Sequence, residues 1–354
     1  MHRIKAGRTT RAAFWLLLLL SSSALADESS RARIAQAAGS ERLQIFSYGK
    51  LLQTGTAPGS VVEAMRQDMI RQGFYFDPGT TPLVAADAWV APILSYDGNI
   101  NGGVLQDSFT YGGQVFEAGQ EFRAKAGVVM GASAGGLLRL AWENGRYVEA
   151  SARGEAVWAP QFGIGRSNTE LALCSRNHLT GWTFLDLCNT ISGVRRELGS
   201  SSSNATDLAL SQIFDAGGAY HEVTADLSDT RFNAGNQPAL TLSWNAIWNG
   251  AATKFSVTAG APFANQMALR RRISTEVSWL LQDRMVSVDL WHQDADGGAF
   301  LGASRADVAD GVGLSYEFRP RLTAQIGYTV NHSNVDFFRY EQLSLNVRFD
   351  ALRW

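Results

Sequence analysis

The chain has 354 residues, with 31 basic and 33 acidic side chains and 35 Gly against 8 Pro. No basic stripe is present to neutralise phosphates, which excludes a nucleic-acid-binding surface. Mean hydropathy is close to zero, and no stretch approaches the roughly 20 apolar residues of a transmembrane helix. A membrane span therefore has to be built from strands closed into a barrel, the other structure that satisfies every backbone group in lipid.

Residues 1–26 have the form of a secretory signal peptide. Arg3, Lys5, Arg8 and Arg11 precede a short apolar core at residues 12–20, and Ala24-Leu25-Ala26 offers a small-x-small cleavage site before Asp27. Removing these four basic residues leaves 27 against 33 acidic, a net charge of −6. Residues 27–86 do not alternate and form a separate N-terminal periplasmic segment. Within it Val62, Met65, Met69 and Ile70 have helical spacing, so one short helix is expected over residues 61–72. It either packs on the periplasmic rim or plugs the lumen; the plug requires Glu63, Arg66, Asp68 and Arg71 to meet charges inside the pore.

From residue 87 to Trp354 the pattern becomes that of strands. The first half predicts strands near residues 87–96, 121–130, 136–142, 147–158, 168–175, 206–213 and 219–227. Cys174 and Cys188 are the only cysteines, and in an oxidising compartment a disulfide is expected. The loop it closes is expected to be extracellular. Ser175, His178 and Asp186 within that loop do not amount to a catalytic triad, which is recognised by geometry and not by proximity in sequence.

The second half alternates more cleanly. Leu240, Leu242, Trp244, Ala246 and Trp248 oppose Thr241, Ser243 and Asn245, and Phe255, Val257, Ala259, Ala261 and Phe263 oppose Ser256, Thr258 and Gly260. Further runs follow near residues 272–279, 286–291, 312–319 and 322–330, with Pro320 at a tight turn. A two-residue period puts one set on lipid and the other on water. The last run, Leu343, Leu345, Val347 and Phe349 with Trp354 beyond it, resembles the terminal signal that outer-membrane proteins present to the barrel-assembly machinery. Connections near residues 216–218, 249–252, 281–284 and 319–321 are short. Those at 227–238, 293–310 and 331–340 are longer, as periplasmic turns and extracellular loops are. The fold class is thus an all-β transmembrane antiparallel barrel of about 14 strands, with 12 or 16 as alternatives, in the cell outer membrane.

On the inner face, Arg270, Arg272, Glu276, Asp289, Glu317, Arg319 and Arg348 are expected to line the lumen, tuning selectivity in an open pore or pairing in a closed one. Arg271 falls on the lipid face near the extracellular end, where it either snorkels or meets a lipopolysaccharide phosphate. No metal site is expected. The five His residues have no paired spacing, and residues 294–298 lack the downstream ligands of a calcium loop. No cofactor is implied.

Trp89 to Gly103 (WVAPILSYDGNINGG) resembles the opening strand of the C-terminal barrel in surface lipoprotein assembly modulators. That resemblance implies a barrel of about 14 strands over residues 87–354 and a role in lipoprotein export. It also implies a periplasmic helical-repeat module, for which residues 27–86 are too short, so such a module would be a separate partner. The expected function is a non-enzymatic conduit, either a solute channel or an export pathway for surface material. The alternatives are an outer-membrane hydrolase and a structural or adhesive barrel acting through its extracellular loops. Expected partners are outer-membrane lipid and lipopolysaccharide, the assembly machinery and an exported lipoprotein.

Overall fold

The computed structural model describes residues 28–53, 55, 59–111, 113–263, 266–319, 322–349 and 351–353. The signal peptide, Pro320 and Trp354 lie outside the described residues. Alternation becomes architecture along fourteen antiparallel barrel strands. They are β1 (Leu83–Asp97), β4 (Gly127–Glu143), β5 (Arg146–Ala159), β6 (Ile164–Thr180), β7 (Thr183–Arg196), β8 (Gly199–Ala216), β9 (Ala219–Phe232), β10 (Gly235–Ile247), β11 (Ala251–Gly260), β12 (Met267–Leu281), β13 (Arg284–Phe300), β14 (Ala303–Arg319), β15 (Leu322–Ser333) and β16 (Tyr340–Phe349). The connection after β1 carries a small hairpin, β2 (Ser108–Tyr111) with β3 (Gln114–Glu117). The sheet closes where β16 pairs with β1, Ile93 opposite Arg348, and β17 (Leu352–Arg353) prolongs the seam with Trp89 opposite Arg353. Closure removes the open edge that an extended sheet would present.

The two faces differ as the period requires. Leu242, Leu314, Ile326 and Leu345 are exposed on the outside, where lipid and not water is the solvent. Inside, hydroxyls pair across neighbouring strands: Ser256 with Ser274 at 2.7 Å, Ser278 with Ser287 at 2.8 Å and Thr241 with Thr258 at 3.0 Å. A closed sheet, apolar outside and polar inside, is an outer-membrane barrel. At one end every connection among the described residues is two or three residues long, while the other carries the longer ones at 98–126, 160–163 and 334–339, and the first end is periplasmic.

Three expectations are corrected. The fourteen strands were counted by two compensating errors. Residues 127–130 and 136–142 belong to one strand, β4, whose centre reads as a break because Gly131, Gly135 and Gly136 carry no apolar side chain, and Gln120–Phe122 form a single 3-10 turn before it. In turn β7 has no counterpart among the expected strands; its first residues fall in the loop expected between the cysteines and the rest beyond Cys188. The connections at 227–238 and 293–310 are not long either. β9 runs directly into β10 and β13 into β14 across residues 233–234 and 301–302. Outward side chains turn polar at Asn189, Thr206, Asp229, His292, Asp310 and Glu341, yet the backbone pairing continues beyond them. A bilayer needs only about 9–11 residues per strand, so strands of up to 18 residues raise the extracellular wall above the lipid.

The third correction concerns the N-terminal segment, which holds three helices instead of one: α1 (Glu28–Ala37), α2 (Glu41–Gln53) and α3 (Gly59–Arg71). α1 and α2 escape a periodicity search because their apolar residues face both one another and the barrel. Ile34, Leu43, Phe46, Tyr48 and Leu51 are buried together with Phe184, Ile213, Ile247 and Ala252 of the inner wall. The segment therefore sits inside the periplasmic mouth and not on its rim, and β1 begins at Leu83.

Candidate conduction pathway

Across β17, β1, β4 and β5 the register sets Arg353, Trp89, Gly135 and Arg153 in one inward row. Gly135 is required there, since a Cβ would lie 2.7 Å from the Trp89 ring. Around Trp89 the wall encloses a cavity of about 800 Å³, lined among others by Arg153, Arg166, Arg348 and Arg353. Arg166 is neutralised by Asp97 at 3.1 Å and Glu155 at 3.2 Å. Arg153 and Arg348 are exposed to the lumen, and neither has an ion-pair partner among the described residues. Their guanidinium groups, always charged and with several donors, present positive charge to whatever enters.

Unpaired carboxylates reach the lumen as well. Asp207, Asp226 and Asp289 project inward from β8, β9 and β13, without an ion-pair partner among the described residues. Gly313 leaves room for Asp289, whose carboxylate occupies the space a Cβ would take. The lumen thus holds unpaired charges of both signs, with Asp207 three strands from Arg153 and Asp289 three strands from Arg348 in the sheet order.

Of the residues expected to line the lumen, Asp289 and Arg348 do so as unpaired charges. Glu276 faces inward but pairs with Lys254 at 3.0 Å. Arg272 donates to Gln293 at 3.0 Å and lies 4.9 Å from the Trp291 ring centroid. Glu317 meets Arg33 of α1 at 3.3 Å and accepts from the Met285 N–H. Arg270 sits at a bulge in β12 beside Asp296, 3.5 Å away, and Arg319 lies at the bulged periplasmic end of β14. Leu343, Leu345, Val347 and Phe349 all face lipid on β16. Arg271 does point outward, but its charge is matched by Asp294 at 2.6 Å, and His292 joins Asp294 to Asp310. Arg153 and Arg166 lie outside the expected set; parity counted back from outward Trp158 places Arg153 inside, whereas Arg166 follows from its register opposite Val157.

Cys174 and Cys188 are bonded to each other, but the loop they close is not extracellular. They occupy facing positions on β6 and β7, and the hairpin between them turns at the periplasmic end. Ser175, His178 and Asp186 do not converge. Ser175 is on the lipid face beside Asn177, His178 donates to the Gly181 carbonyl, and Asp186 is held by arginines. Among the described residues no cluster of His, Cys, Asp or Glu is placed to hold a metal ion.

At the periplasmic mouth a chain of charges runs from the helices into the wall. Glu41 meets Arg139 at 2.7 Å, Arg139 meets Glu149 at 2.7 Å, and Glu149 meets Arg176 at 3.1 Å. Arg176 then meets Asp186 at 3.0 Å, and Asp186 accepts two hydrogen bonds from Arg42, each 2.8 Å. Burial pushes the Glu41 carboxyl up, but the hydrogen bond and field of Arg139 outweigh it and hold the group below its ordinary range. Asp68 is raised, by burial first and by Glu41 second. Of the four polar residues on α3 that a plug was expected to use, Arg71 meets a lumen carboxylate, Asp87, at 2.6 Å.

The extracellular mouth is crossed by residues 98–126. Ile100 is fully buried with Val129, Val157 and Ala159 of the inner wall. Beside it the Asn101 side chain donates to the Arg123 carbonyl and accepts from the Gly103 and Lys125 N–H groups. Arg196 donates to the Asn99 carbonyl at 2.8 Å. Farther along, Phe109 of β2 packs on Phe300 and Phe337, with ring centroids 5.8 and 4.8 Å away. The loop is thereby pinned to both β7 and the β13–β16 side of the mouth.

No protein-family model and no curated protein matches the chain. Solved structures are similar to it. Pseudomonas aeruginosa OpdK, solved with vanillate, is 12% identical with a TM-score of 0.43, covering 76% of this chain and 98% of that chain. OccK9 (OpdG) of the same organism is 10% identical at 0.41, with the same coverages. Acinetobacter baumannii OccAB2 is 6% identical at 0.41, covering 78% of this chain and 100% of that chain. At such identities and scores the likeness says nothing of what passes through this lumen.

Proposed function

We propose that the barrel is a solute channel that favours small anions, with Arg153 and Arg348 as the groups an anion meets in passage. The observation that carries this reading is the inward cavity beside Trp89, where two guanidinium groups have no ion-pair partner among the described residues. An anion moving along that wall exchanges water for charge-assisted hydrogen bonds, while the carboxylates of β8, β9 and β13 repel it from the rest of the wall. Two weak, exposed contacts suit conduction better than one tight site, because the solute has to leave as well as enter.

Export of a lipoprotein or other surface material with a helical-repeat partner is less well supported. It would need both mouths cleared, and the Asn99-Ile100-Asn101 segment that suggested it has a local task in seating the first extracellular loop. Neither a hydrolase nor an adhesive reading has an observation in its favour.

The test is the reversal potential of open channels in a planar bilayer under a potassium chloride gradient. Chloride preference is expected, falling toward neutrality when Arg153→Gln and Arg348→Gln are combined. An unchanged reversal potential would remove the arginines from the pathway.

A further inference from the structure

The helices in the periplasmic mouth are attached differently on their two sides. On one side the segment that follows α3 is tied through backbone. The Gly145 N–H donates to the Gly73 carbonyl at 2.9 Å, the Tyr75 N–H to Asn144 at 3.0 Å, and the Ala141 N–H to the Pro82 carbonyl at 2.7 Å. Arg71 adds its pair with Asp87. On the other side α1 and α2 reach the wall through side chains alone, among the described residues. Arg33 meets Glu317, Arg42 meets Asp186, and Lys50 meets Asp215 at 3.0 Å. Phe46 stands edge-on to Trp182 and Tyr220, at 4.9 and 5.6 Å.

At Glu41 and Arg42 the charges across this second side have an unusual property: each partner is balanced without the other, whereas the partly exposed pairs Arg33–Glu317 and Lys50–Asp215 depend on the helices. On the wall, Arg139, Glu149, Arg176 and Asp186 form a paired chain of two positive and two negative groups that is complete without the helices. On α2, Glu41 and Arg42 are neighbours of opposite sign. Breaking a buried pair is costly when it strands an uncompensated charge. Withdrawal of α2 strands no charge of the buried chain; what it gives up is the partly exposed Lys50–Asp215 pair and the packing of Phe46 and its neighbours.

We infer that α1 and α2 form a gate hinged at the α3 end and latched at Arg42 and Phe46, and that the arrangement seen here is its closed position. This rests on the channel reading, whose pathway the gate controls. Opening exposes a wall already neutral and hydrogen-bonded, so the equilibrium between seated and withdrawn helices is set by a few side chains and shifts when they change.

The experiment uses the full-length protein in a planar bilayer, with two kinds of variant. In the first, Lys50→Cys and Asp215→Cys are joined by a short bis-maleimide; the native cysteines, bonded to each other, do not react. In the second, Arg42→Gln and Phe46→Ala loosen the latch, and heat-modifiable migration confirms that the barrel has formed. The gate predicts that tethering lowers the open fraction at least about tenfold and that loosening raises it by a similar factor. If untethered protein conducts and the tether changes nothing, the helices are a fixed lining; the gate is then wrong and the channel stands. If the loosened protein folds but neither it nor the wild type conducts, gate and channel fall together. If the loosened protein does not fold, the tether result alone decides, and silence in the untethered wild type counts against both.

Discussion

At the periplasmic mouth the groups that join α1 and α2 to the wall are side chains, an apolar cluster flanked by ion pairs, contributed by helices distant in sequence from the wall they touch. At the extracellular mouth they are an apolar side chain, Ile100, and an amide, Asn101, that bonds three backbone groups of its own loop. Ionic side chains accept water as a substitute partner, and balanced pairs do so at modest cost. A buried amide serving backbone groups has no substitute, because those groups would be left unpaired out of reach of solvent. The difference assigns mobility to the periplasmic end and permanence to the extracellular loop.

The sharpest way to break this contrast is at Asp186, which serves two guanidinium groups at once. Asp186→Ala strands Arg42 and leaves Arg176 with Glu149 alone in a largely buried setting, and roughly 3–5 kcal/mol of stability should be lost in urea unfolding. A loss below about 1 kcal/mol, the range of exposed pairs, would mean that water already reaches them. Arg42→Gln should be much milder, since the wall keeps its own balance.

The extracellular counterpart is Asn101→Ala, which leaves the Arg123 carbonyl and two N–H groups without their partner. About 1–3 kcal/mol is expected, together with faster amide exchange at Gly103 and Lys125. Unaltered exchange there would show that Ile100 alone seats the loop.

The smallest effect is that of pH on the seated helices. Glu41 titrates below its ordinary 4.5 in the folded protein, so its contribution is complete above that value. The contribution disappears as pH falls through the lower, folded value. Asp68 opposes it: its carboxyl is raised above 3.8, so its charged form costs stability, and acid relieves that cost. A spin label at Lys50→Cys should therefore keep one mobility from pH 7 to pH 5 and loosen only below the ordinary carboxylate range. Loosening near pH 6 would point to a group other than Glu41.

How much of this was legible in the sequence depended on whether a side chain's role is set by parity or by register. Parity placed Leu242 and Leu345 outside and Glu276, Asp289 and Arg348 inside, because a two-residue period needs only the chain itself. Partners follow from register across strands. Nothing local showed that Glu276 meets Lys254, that Cys188 faces Cys174 in mid-strand, or that Arg271 is matched by Asp294. β4 was divided because its glycines make room for Trp89 and for the β5 backbone, a demand of neighbours that looks like a break in one strand. The heights of the strands were missed for a similar reason. Above the lipid both faces meet water, so alternation of hydrophobicity stops although the ladder goes on.

Everything above depends on the two faces being lipid and water, and paired arginine substitutions test that most directly. Leu242 and Leu345 are exposed on the outside, while Ser243 and Ser344 adjoin them on the inner face. Each variant would be refolded into lipid vesicles and unfolded in urea. Leu242→Arg and Leu345→Arg should each cost about 2–4 kcal/mol if near the bilayer centre, whereas Ser243→Arg and Ser344→Arg should cost well under half of that. Equal penalties at adjacent positions would contradict the assignment of lipid to one face and a water-filled lumen to the other.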